Sequence, residues 1–142
     1  MSDFKTLLLP NLHSKPVGKY SPGIAIRATP VYSLIFVSGQ VATSESGGVV
    51  GRGNPSYQTE VVFERLADIL KVAGGSLSDL VSICIYTTSI SYFPAISAVR
   101  DRILGLLPPA STFVAVSNLV EEGCLVEISG TAVVQSKAYG LE

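Results

Sequence analysis

Four stretches of this chain alternate in polarity with the period of a β-strand, and the two faces they form differ in kind. They are LIFVSGQV (34–41), LVSICIYTT (80–88), STFVAVSNL (111–119) and LVEISGTAVV (125–134). Successive side chains on a strand point to opposite faces. One set reads Ile35, Val37, Val81, Ile83, Ile85, Val114, Val116, Val126, Ile128, Ala132 and Val134. It is uniformly apolar and predicts a face buried under the chain's own helices. The other reads Leu34, Phe36, Ser38, Gln40, Ser82, Cys84, Tyr86, Ser111, Phe113, Ala115, Glu127, Ser129 and Thr131. That face is too apolar for water and too polar for a closed core, so other subunits are its expected cover. Composition agrees, because only 15% of residues are charged while 47% are apolar. A small domain with so few charges hides part of its surface in an oligomer.

The helices that cover the apolar face are legible as well. In NPSYQTEVVFERLADILKVAGG, Asn54 is an N-cap and Pro55 takes the first helical position. Val62, Phe63, Leu66, Ile69, Leu70 and Ala73 then fall on one stripe, and Gly74-Gly75 end the helix as a left-handed cap requires. YFPAISAVRDRIL (92–104) predicts a shorter helix with Phe93, Ile96, Val99 and Ile103 on one face. GIAIRA (23–28) predicts an earlier strand, and 43–55 a loop with at most one short strand. The order β-β-(β)-α-β-α-β-β is an α+β layer, with two helices packed on one face of a sheet, in a single domain over 1–142.

Several function classes are excluded at this level. A net charge of −1 provides no electrostatic footprint for nucleic acid or an anionic membrane. No apolar run approaches the roughly 18–20 residues of a membrane span. The start, MSDFKTLLLP, lacks the basic region and apolar length of a secretory signal. Cys84 and Cys124 sit in apolar runs without metal-ligand spacing, and read as reduced residues of a cytoplasmic protein. His13 is the single histidine, which argues against a Ser-His-Asp triad and against a metal site. GGVVGRG lacks the Lys-Ser/Thr of a phosphate loop.

Few residues remain to do chemistry. Glu127 lies mid-strand between apolar neighbours. It is either an exposed glutamate pairing across the sheet or a partly buried carboxylate with a raised pKa, suited to deprotonating water. Ser38 and Gly39 stand at a strand end, where a backbone N–H can face a ligand or a plain turn can begin. Tyr20 in VGKYSPG belongs to a loop, as a ligand contact or a surface side chain.

GKYSPGI, LIFVSGQ, YQTEVVFERLADILKVAGGSLSDLV, PPAST and LVEISGTAVV follow one another in the order and spacing of the RidA/YjgF superfamily, which the chain resembles from about residue 15 to 135. The resemblance implies a chorismate-mutase-like α+β fold and a homotrimer whose sheets form an inner barrel. It also implies inter-subunit clefts that bind small acids, and hydrolysis of reactive enamines or imines to ammonia and a keto acid without a cofactor. By the same resemblance Tyr20, Ser38, Gly39 and Glu127 match the family's loop tyrosine, strand-end pair and water-positioning glutamate. Its substrate-clamping arginine, preceded by a proline-alanine pair, falls on Ser111 after Ala110. A cysteine two residues on falls on Phe113, and a glutamine near the tyrosine falls on Pro22. A serine hydroxyl cannot replace a two-pronged charged contact worth about 1.5–3 kcal/mol. Ala110, Ser111 and Phe113 would then shape a pocket for a larger or less acidic substrate, unless Arg27, Arg52 or Arg100 restores the grip. The alternative is a trimer of the same fold that binds a metabolite without turning it over.

Overall fold

The computed structural model describes residues 4–11, 16 and 18–135, and His13 lies outside them. Six strands form one sheet: β1 (Lys5–Leu8), β2 (Gly23–Arg27), β3 (Tyr32–Val41), β4 (Leu80–Thr87), β5 (Ala110–Ala115) and β6 (Val126–Gln135). Their order across the sheet is β1-β2-β3-β6-β4-β5, antiparallel except for the parallel β4–β5 pair. Two helices, α1 (Pro55–Val72) and α2 (Phe93–Leu104), pack side by side with their apolar stripes on one face of the sheet. This is the expected α+β layer.

Local sequence accounts for α1. The Asn54 side chain accepts a 3.0 Å hydrogen bond from the Tyr57 N–H, and Pro55 loses nothing at a position whose N–H has no helical partner. Gly74 adopts φ +79°, and the Gly75 N–H closes the helix on the Leu70 carbonyl. Val62, Phe63, Leu66, Ile69 and Leu70 are buried against Ile35, Val37, Ile83, Ile85, Val126, Ile128, Ala132 and Val134 of the sheet. The core is thus the apolar strand face beneath the helical stripe.

The strand assignments need four corrections. β1 arises from KTLL, a run too short to stand out, and buries Leu8. The loop over 43–55 has no strand, only a bridge between Thr43 and Val49. At the start of β4 a register shift lets Leu80 take the buried position, and Val81 is left 48% exposed. β5 ends at Ala115, level with its partner Thr87 at the end of β4, and it presents the opposite face from the one expected. Parallel pairing sets Ile83 beside Ser111 and Ile85 beside Phe113, so Phe113 follows Ile85 to the helix side while Val114 is 38% exposed. The Phe113 ring meets Phe93 of α2 edge-on, centroids 4.9 Å apart.

A fifth departure matters most for the site. Val37 pairs with Gly130, but Gln40 pairs with Ile128, so β3 spends three steps where β6 spends two. The extra residue is a β-bulge at Ser38-Gly39, which reverses the facing of everything after it. Gln40 therefore turns into the buried side and Val41 comes up beside Glu127.

Candidate active site at the bulge of the third strand

Beyond Val37, β3 has no β2 partner in the ladder, and the loop 18–22 folds against this free edge. Two hydrogen bonds from Ser38 hold it there. The backbone N–H donates to the Pro22 carbonyl at 2.9 Å, and Oγ donates to the Ser21 carbonyl at 2.6 Å. The hydroxyl proton of Ser38 is thereby committed to placing the Tyr20 loop, and the oxygen lone pairs are what it offers elsewhere.

Glu127 rises from β6 between Val41 on β3 and Tyr86 on β4. Its carboxylate lies directly over Gly39, where a Cβ would come within 2.7 Å of Oε2. Only a residue without a side chain leaves that place to the carboxylate. The half-buried setting raises the Glu127 pKa above the ordinary glutamate value, because burial penalises the charged form.

A cavity of about 650 Å³ opens here, lined among others by Tyr20, Ser38, Gly39, Arg65, Glu121 and Glu127. The fold thus brings together four of the residues singled out in the sequence. It does not bring Ala110 or Ser111 to them within one chain. Those two line a separate cavity of about 410 Å³ with Cys84, Thr112 and Ser129. Phe113 is outside both linings, since its ring belongs to the helix side. Arg100 bonds Asp101 at 2.9 Å, and the Arg52 guanidinium lies against Gly123. Arg27, Arg52 and Arg100 are all outside the lining of the Glu127 cavity.

Sequence reasoning missed Arg65 and Gln40. Arg65 sits on the flank of the α1 stripe, where an arginine reads as a solvated side chain, and Gln40 is turned inward only by the bulge. In the structure, Arg65 Nε donates to Gln40 Oε1 at 3.1 Å and Nη1 donates to the Thr43 carbonyl at 3.2 Å. Gln40 Nε2 in turn donates to the Ser38 carbonyl at 3.1 Å, coupling the arginine to the bulge.

Among the described residues no group of three or more His, Cys, Asp or Glu side chains could hold a metal ion. Cys84 is half-buried and Cys124 buried, and both are free thiols. No helix among these residues is long and apolar enough to cross a membrane.

The model of the Endoribonuclease L-PSP family matches residues 12–134. A 3-aminoacrylate deaminase RutC from Acinetobacter baylyi is 33% identical over 128 residues, covering 90% of this chain and 97% of that protein. A crystal structure from Thermotoga maritima, titled a putative endoribonuclease, superposes with a TM-score of 0.80 at 34% identity, covering 92% of this chain and 98% of the other. RidA from an Antarctic Psychrobacter superposes with a TM-score of 0.78 at 28% identity, covering 91% and 99%. Matched over nearly its whole length in sequence and in superposition, the chain belongs to the Endoribonuclease L-PSP family, the RidA/YjgF superfamily.

Proposed function

We propose that this protein hydrolyses a small imine or enamine, releasing ammonia and a carbonyl compound. The carrying observation is the Glu127 carboxylate, held against bare Gly39 in a cavity and with a raised pKa. A carboxylate of that kind is a stronger base than a solvated glutamate and takes a proton from water more readily. Glu127 accepts the proton as the water oxygen bonds to the imine carbon, and the C=N π electrons move to nitrogen. Glu127 returns that proton to nitrogen and then relays the proton of the new hydroxyl to the same nitrogen; the oxygen's electrons form the carbonyl as the C–N bond breaks and ammonia leaves with the bonding pair. Tyr20 and the Ser38 oxygen orient polar groups of the substrate.

The likeness to a protein named for 3-aminoacrylate deamination supports this chemistry, since such an enamine tautomerises to an imine. The active assembly in this reading is a cytoplasmic homotrimer. Its open sheet faces, which expose Phe36 and Val114, line an inner barrel, and a neighbour's Ala110 and Ser111 complete each cleft. With a serine at 111, this member departs from the family's usual clamp. RNA cleavage, suggested by the family's name, has weaker support. The cavity lining has Glu45, Glu121 and Glu127 against a single arginine, a poor field for a phosphate backbone.

The test is a competition on freshly generated 2-iminopropanoate, with semicarbazide trapping the imine. The protein is expected to divert imine from the trap and speed keto-acid release. If it accelerates hydrolysis neither of this imine nor of larger or uncharged ones, the enzymatic reading fails. Within it, Gly39→Ala is expected to lower kcat/KM by about 10²-fold, because displacing a catalytic group by around an ångström costs that much. Gly39 is exposed and is not among the glycines of positive φ, so the melting temperature should move little. Unchanged kcat/KM in that variant would show that the carboxylate does not need this seat.

A further inference from the structure

The family's clamp position is a serine here, yet the cavity is not without a cation. We propose that Arg65, reaching in from α1, grips the substrate's carboxylate in place of the arginine that β5 lacks. Among the described residues it is the one basic side chain lining the cavity that holds Glu127.

The guanidinium is held in orientation before any ligand arrives. Its bonds to Gln40 Oε1 and the Thr43 carbonyl use two of five N–H groups and fix the plane of the fork. The remaining donors suit a bidentate carboxylate contact. Its surroundings favour such a contact. Burial lowers the Arg65 pKa, with the nearby Asp68 and Tyr20 acting in the opposite direction, and arginine stays protonated throughout. A partly desolvated cation gains more from an anion than one in open water does. Among the described residues no ion pair joins Arg65 to Glu127.

The rest of the lining narrows the ligand. Glu45, Glu121 and Glu127 would repel a dianion, while a protonated imine bearing one carboxylate meets both signs of charge. The carboxylate would go to Arg65 and the iminium end toward Glu127, which is where water must attack. Moving the grip from β5 to α1 also changes the direction from which the substrate is held, so specificity should differ from relatives with the usual arginine.

This inference rests on the imine-hydrolase reading for the bond that is broken, but the grip is a binding property and can be measured without turnover. Pyruvate and its neutral isostere pyruvamide would be titrated calorimetrically into the full-length wild-type protein and Arg65→Gln. Wild type is expected to favour pyruvate, and Arg65→Gln to weaken pyruvate by about 10- to 100-fold while changing pyruvamide little. Equal pyruvate affinity in the two proteins, or a wild type that does not prefer pyruvate, overturns the proposal. If Arg65→Gln does not fold, wild type labelled with ¹⁵N-arginine decides. The Arg65 Nε–H resonance, identified with Arg65→Lys, must shift on adding pyruvate, and a stationary signal overturns the grip. The semicarbazide competition separates the two readings. Charge preference without turnover removes the hydrolase and keeps the grip, whereas turnover without charge preference does the reverse.

Discussion

Glutamine at position 127 is expected to lower kcat for imine hydrolysis by about 10²–10⁴-fold, the usual contribution of a positioned general base. The amide fills the same space over Gly39 but cannot accept the proton of the attacking water. Circular dichroism should show an unchanged fold, since Glu127 is half-buried and the replacement is nearly isosteric. Turnover equal to wild type would remove Glu127 from the mechanism.

The pH dependence follows from the same group. Its pKa in the folded chain lies above the ordinary glutamate value of about 4.3, because burial disfavours the ionised form. The acid limb of kcat/KM should therefore fall at higher pH than a solvated glutamate would give, and be absent from the residual activity of Glu127→Gln. Stability runs the other way. The penalty for ionising Glu127 is absent below the unfolded pKa and complete above the folded one. Between those two values wild type should lose stability relative to Glu127→Gln as pH rises, which denaturant titrations at several pH values will reveal. A constant difference across that window would mean the carboxyl is not desolvated.

Leucine at position 58 should cause the largest loss of stability, about 3–5 kcal/mol. Gln58 is fully buried on α1, and its amide is satisfied entirely by backbone. Nε2 donates to the Val50 and Gly123 carbonyls at 3.0 and 2.9 Å, and Oε1 accepts from the Leu125 N–H at 2.7 Å. Leucine has similar volume but orphans three buried polar groups, each at about 1–3 kcal/mol. Against a typical total of about 5–15 kcal/mol, this leaves a marginal protein. Gln58→Glu discriminates the mechanism, because a carboxylate still accepts from Leu125 but cannot donate to either carbonyl. A loss below about 1 kcal/mol for leucine would show that the loops re-pair with water. The amide also bears on the site, since it pins the chain at Leu125, two residues before Glu127.

Much of the fold was written locally. The cap at Asn54, the stripe of α1 and the left-handed Gly74 need only near neighbours, and each is where its residues predict it. Tyr20, Ser38, Gly39 and Glu127 stood out because a loop tyrosine, a strand-end glycine and a lone mid-strand carboxylate are visible one at a time. That they share one cavity was not visible, because it depends on the loop 18–22 closing over an edge that β2 leaves bare. The facing of β5 failed for a different reason. Each of its faces carries one hydroxyl among apolar side chains, so alternation contains no sign, and the parallel register with β4 chooses Phe113 for the helix side.

The sequence by itself determined the elements, the apolar strand face beneath the helices and the solitary carboxylate of β6, since these follow from periodicities and caps acting within a few residues. Tertiary structure alone decided where chemistry can occur. The bulge at Ser38-Gly39 exists only as a mismatch of steps between β3 and β6, strands some ninety positions apart in the chain. That one added residue seats Glu127 over a bare backbone and turns Gln40 inward to hold Arg65. A period-two pattern counts residues along one strand, and it has no means of recording an extra residue that is defined by the partner.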